Sequence, residues 1–113
     1  KFISSVSIFL LMKALFICDF NQNRSKTAAK IFKGKFETQS AGLYSEKPVS
    51  ADQLNWADIV FVMEDEHIYE ISTRFPDIYS KKKIYSLGIS NAYHYMHPAL
   101  IHILKYKVEK LME

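Results

Sequence analysis

Cys18 and Arg24 have the types and spacing for covalent chemistry on an anion. They lie in the stretch Leu15-Phe16-Ile17-Cys18-Asp19-Phe20-Asn21-Gln22-Asn23-Arg24-Ser25. A thiol attacks well only as thiolate, and loop amides, a helix N-terminus and a guanidinium each favour that charged form. The same groups can hold an oxyanion in line with the sulfur. Arg24 offers a planar fork that matches two oxygens, where a lysine would offer only a point charge. Ser25 is placed to donate a hydrogen bond to the Cys18 thiolate. Asn21 suits a tight loop because Asn tolerates left-handed backbone geometry.

This chemistry needs a strand that ends at Cys18 and a helix that opens near Arg24. The apolar run Met12–Cys18 reads as a strand buried on both faces. Ser25–Lys33 reads as a helix, with Ala28, Ile31 and Phe32 on one face and Gly34 as its stop. A strand, a loop and a helix N-terminus in that order make an anion site, since amides and dipole point to one spot. The backbone of Asp19, Phe20, Asn21, Gln22, Asn23, Arg24 and Ser25 would form it.

The remaining elements alternate in the same way. Lys35–Ser40 reads as an edge strand and Ala41–Pro48 as loop. Ser50 caps a short helical turn through Asn55. Ala57–Met63 is the clearest strand, β-branched and continuous. Glu64–Phe75 reads as a helix with Ile68, Ile71 and Phe75 on one face, ended by Pro76. Lys83–Leu87 is a fourth strand and Ser90–His97 a loop. Pro98–Met112 is the last helix, with Leu100, Leu104, Val108 and Leu111 as its buried stripe. The expected fold is therefore α/β with a parallel sheet, and its ligand site lies at the carboxyl ends of the strands. Cys18, Glu64 and the Gly88–His97 loop meet at that end.

Composition bounds the reading. The chain has 113 residues, 49% of them hydrophobic, enough for one domain with a core. A net charge of +3 fits an anionic substrate and is too small to argue for nucleic acid. The single cysteine rules out an internal disulfide, which fits a reducing cytoplasm. The apolar stretch from Val6 to Cys18 is shorter than the ~20 residues of a membrane span, so no membrane partner is expected. His94, His97 and His102 lack the cysteines or spaced carboxylates of a metal site, and no metal or other cofactor is expected. The loop has no glycine and is no Walker-type nucleotide loop.

Cys, five residues, Arg and Ser is the signature of cysteine-dependent phosphatases. Beyond it, the chain resembles the low-molecular-weight protein tyrosine phosphatase family, and most closely a short branch of about this length. The matching residues are Ala14-Leu15-Phe16-Ile17-Cys18, Asn21 and Arg24-Ser25-Lys26-Thr27-Ala28. Ser40-Ala41-Gly42, Trp56 through Glu64, and Tyr95-Met96-His97-Pro98 match as well. The resemblance runs from Met12 to the C-terminus and makes residues 1–11 an N-terminal extension to a single domain, 12–113. It implies a three-layer α/β/α fold with a four-stranded parallel sheet.

It also implies a cytoplasmic phosphomonoester hydrolase with a cysteinyl-phosphate intermediate. Its partner would be a phosphorylated protein or a small phosphomonoester. Asn21, Ser25 and Ser40 would hold the loop, and Tyr93 and Tyr95 would frame the substrate ring. Two departures stand out. His97-Pro98 occupies the place of the family's Asp-Pro, whose aspartate protonates the leaving oxygen, so an imidazole would have to replace it. Asp19 puts a carboxylate next to the nucleophile, with Asp65 and Glu66 as further candidate acids. The alternatives are an inactive phosphate-binding or phosphoresidue-binding module and an arsenate reductase that uses an external thiol.

Overall fold

A computed structural model describes residues 12–113, so the expected extension 1–11 lies outside the described residues. Strand β1 (Lys13–Cys18) leads into helix α1 (Arg24–Ile31), then β2 (Glu37–Gly42), α2 (Ala51–Trp56) and β3 (Ile59–Val62). Helices α3 (Asp65–Arg74) and α4 (Pro76–Tyr79), strand β4 (Ile84–Ser86) and helix α5 (Pro98–Leu111) complete the chain. The sheet is four-stranded and wholly parallel, in the order β2-β1-β3-β4. This is the expected three-layer α/β/α architecture.

β1 shows why the layers form. Successive side chains of a strand face opposite sides. Ala14, Phe16 and Cys18 enter one core with Ala28 of α1, Phe32 at its C-cap, and Leu100, Leu104 and Val108 of α5. Leu15 and Ile17 enter the other with Leu54 of α2 and Ile71 of α3. Phe16 stacks between Phe32 and Phe61, with ring centroids 5.7 and 5.2 Å away. β1 is thus apolar without interruption from Ala14 to Cys18, because both of its faces are covered there.

Three boundaries differ from the sequence reading. β2 runs on through Ala41 and Gly42, because Ala41 and Gly42 pair with Ile17 and Cys18. Pro76 does not only end α3: it starts the one-turn α4, where a missing N–H costs nothing. Leu111, expected in the buried stripe of α5, is 44% exposed, and Met112 packs against the core at that end instead.

The chain passes from one side of β1 to the other between β2 and β3, so the carboxyl end of β1 is the crevice of the fold. Gly42 closes that crevice from the side of β2. A Cβ at this position would sit 2.1 Å from Ser45 Oγ and 2.8 Å from both Asn21 N and Phe20 C. The β1–α1 loop therefore lies on the bare backbone of Gly42. We expect Gly42→Ala to displace that loop and to cost about 1–3 kcal/mol, the usual range for overpacking. A urea titration checks the stability, and phosphate affinity checks the loop.

Candidate active site

The β1–α1 loop is bent where Asn21 takes φ 55°, the left-handed geometry expected of it. Asn21 Oδ1 accepts a hydrogen bond from Ser25 Oγ at 2.7 Å, and Ser25 Oγ lies 3.0 Å from Cys18 Sγ. The hydroxyl has one hydrogen. With a thiol, that hydrogen rests on Asn21 and the S–H points at Ser25. With a thiolate, it turns to the sulfur. Beyond the loop, the Leu43 and Tyr44 amides hold the Cys18 and Asp19 carbonyls at 2.9 and 2.8 Å. Ser40 pairs through its backbone with Phe16 one turn of the pleat below. The serine nearer the loop is Ser45, whose hydroxyl is buried without a partner.

α1 begins without a side-chain cap and without an acid in its first turn. Its first backbone bond runs from Thr27 N to Asn23 O at 2.9 Å. Among the described residues, no acceptor takes the amides from Asp19 to Ser25. Uncapped N-terminal amides with a positive dipole end form an anion cradle. Cys18, Asp19, Phe20, Gln22, Asn23, Arg24 and Asn91 line the small cavity there.

Arg24 is buried at 2% exposure. Its Nη1 donates to Glu64 Oε2 at 2.5 Å and to the Ile89 carbonyl at 2.7 Å, and its Nη2 reaches Asp19 Oδ2 at 3.4 Å. Both Nη1 hydrogens are spent on the protein. The Nε–Nη2 edge keeps free donors, and that edge is a fork suited to two oxyanion oxygens.

Behind Arg24 the bonds close into a ring. The Glu64 amide donates to His67 Nδ1 at 3.1 Å, and His67 Nε2 lies 2.7 Å from Asp19 Oδ1. With Nδ1 acting as acceptor, the His67 proton is on Nε2, and that nitrogen donates to Asp19. Asp19 thus turns toward His67 and Arg24 rather than straight at the sulfur. Asp19, Glu64 and His67 are the one group of three His, Cys, Asp or Glu side chains, among the described residues, close enough to share a metal ion. The Arg24 guanidinium already bonds both of its carboxylates and offsets one of their two charges.

Cys18, Arg24, Ser25, Asn21 and the loop from Asp19 to Asn23 are thus brought together as expected. His97 is not brought into the cavity wall. It caps α5, with Nδ1 accepting from the Ala99 amide at 3.0 Å, and its ring lies against Tyr93 and His94. Asp65 and Glu66 are exposed in the first turn of α3. The sequence reading missed His67, Asn91 and the Ile89 carbonyl. His67 alone carried a signal: it lies four residues before buried Ile71, on the inner face of α3.

On the other flank, Phe20 leans toward Tyr44 with ring centroids 6.3 Å apart. Arg74 lies over the Tyr44 ring at 5.3 Å and donates to Glu70 and to the Leu43 carbonyl, each at 2.7 Å. Desolvation, and then the Glu70 carboxylate, raises the Tyr44 phenol above its ordinary range, so it stays neutral near pH 7.

No protein-family model matches the chain, and no curated protein matches it in sequence. Solved structures do match. The YwlE arginine phosphatase of Geobacillus stearothermophilus superposes with a TM-score of 0.68 at 20% identity, over 90% of this chain and 94% of that one. The tyrosine phosphatase AmsI of Erwinia amylovora gives 0.72 at 19%, over 90% and 92%. The tyrosine phosphatase Wzb of Escherichia coli K30, solved in complex with phosphate, gives 0.72 at 17%, over 89% and 96%. At these identities the likeness is one of fold, and the chain has the fold of the low-molecular-weight protein tyrosine phosphatases.

Proposed function

We propose that the protein is a cysteine-dependent phosphomonoester hydrolase. One observation carries this reading: Cys18, held by its Ser25–Asn21 hydrogen-bond chain, and the buried Arg24 line one small cavity with a loop whose amides meet no acceptor among the described residues. In this reading the Cys18 thiolate attacks phosphorus, the S–P bond forms and the P–O bond to the leaving group breaks. Loop amides and the free edge of Arg24 take the charge on the three transferred oxygens. Water then hydrolyses the cysteinyl phosphate. The residues present supply nucleophile, cradle and charge, so the step needs no metal. The similar folds include both tyrosine and arginine phosphatases, and an aryl phosphate and a phosphoarginine peptide are the two substrates to try. Among the described residues, no helix is long and apolar enough to cross a membrane.

The test is steady-state hydrolysis of both substrates. Cys18→Ser is expected to lower turnover by at least about 10³-fold, since it removes the nucleophile. Equal turnover by wild type and mutant, both folded, would overturn the reading.

His97 gives a second test. Its ring caps α5 from outside the cavity wall. His97→Ala should therefore cost about 1 kcal/mol of stability, as lost caps do, and leave kcat within about twofold, as is usual away from the reacting atoms. A loss of kcat above tenfold would return the role of general acid to His97.

A further inference from the structure

The cradle holds a charge that an oxyanion site does not need. Asp19 lines the cavity beside Cys18 and is only partly buried, its side chain 29% exposed. The charged and titratable groups that face it are few. Arg24 and Cys18 come from its own loop, and Glu64 and His67 from the β3–α3 turn and α3. The β2 side contributes Tyr44: its amide holds the Asp19 carbonyl, and its phenol, raised by desolvation with help from the Asp19 carboxylate, stays neutral near pH 7 and adds no charge.

Their charges do not balance. Glu64 takes the shorter bond to Arg24 and offsets it. Asp19 keeps only the 3.4 Å contact to Nη2. His67 brings no compensating proton, because its Nδ1 is already the acceptor of the Glu64 amide. One carboxylate charge is left in the wall of a site built for anions. An ionised carboxylate can only accept hydrogen bonds. A fully deprotonated oxyanion beside it meets repulsion and finds no donor there. An oxyanion that carries a proton can donate it to the carboxylate.

We propose that Asp19 makes this cradle selective for protonated oxyanions, so that phosphomonoesters are taken as their monoanions; the inference rests on the phosphatase reading above. The proton then solves a second problem. With the Cys18 thiolate and the ester monoanion as reactants, the S–P bond forms, the P–O bond breaks and the proton ends on the leaving oxygen. The products are a neutral alcohol and a dianionic cysteinyl phosphate, so atoms and charge balance. The ester brings the proton that the family's aspartate would have supplied at position 97.

Two measurements test this. The first is calorimetric binding of inorganic phosphate and of sulfate to Cys18→Ser at pH 7.5. Phosphate keeps one proton there and sulfate keeps none. Phosphate should bind at least about tenfold more tightly, the scale of one charge-assisted hydrogen bond. Adding Asp19→Asn should tighten sulfate binding and bring the two anions within about threefold of one another. The second is the pH profile of aryl phosphate hydrolysis. Above the ester's second pKa, about 6, kcat/KM should fall about tenfold per pH unit in wild type and in His97→Ala. It should stay flat in Asp19→Asn, or in Asp19→Ser if the asparagine variant does not fold.

Equal binding of the two anions by Cys18→Ser, or discrimination that survives Asp19→Asn, would overturn the proposal while the phosphatase reading stands. An alkaline fall that disappears in His97→Ala would do the same. A protein that binds neither anion and hydrolyses neither substrate would overturn both.

Discussion

The guanidinium of Arg24 is the constraint on which the rest of the site depends. It is a full charge at 2% exposure, and removing such a charge from water costs several kcal/mol unless it is paired and hydrogen-bonded. The fold meets that cost from three places at once: the loop through Asp19, the end of β3 through Glu64, and the segment after β4 through the Ile89 carbonyl. These partners fix the guanidinium plane. They also leave its Nε edge free, so the bonds that make the burial tolerable also aim the fork. His67 is tied to the same cage and, through Asp19, extends it into the core.

The cradle was legible in the sequence because it is nearly contiguous. A strand end, a bend and a helix start within eleven residues carry Cys18, the loop amides and the Arg24 fork. Asn21 is the clearest example, since its tolerance for positive φ is an intrinsic property of the residue and the structure uses it. The parallel sheet was legible for a similar reason: buried strands read as unbroken apolar runs.

The partners of Arg24 were not legible in the same way. Glu64 and Ile89 lie 40 and 65 positions away, and Ile89 contributes only its carbonyl, which every residue possesses. Asp19 read only as a carboxylate next to Cys18, and where it points is set by His67, 48 positions away. Leu111 continued a periodic pattern, but at the end of α5 Met112 takes the place against the core and Leu111 is left outside. His97 stands where a resemblance puts an acid, yet the rotamer that caps α5 depends on packing against Tyr93 and His94.

The strand order has a consequence in time. β1 is the first described strand to leave a ribosome, but it pairs on both sides with strands reached only after long crossovers. Such non-local pairings must first overcome loop-closure entropy, and they slow folding. Until β3 brings Glu64 and the segment after β4 brings Ile89, Arg24 has no cage and stays hydrated. The cradle is encoded in β1 and the loop after it but is assembled only once the segments after β3 and β4 have been made, so Cys18 passes part of translation before the cradle around it exists.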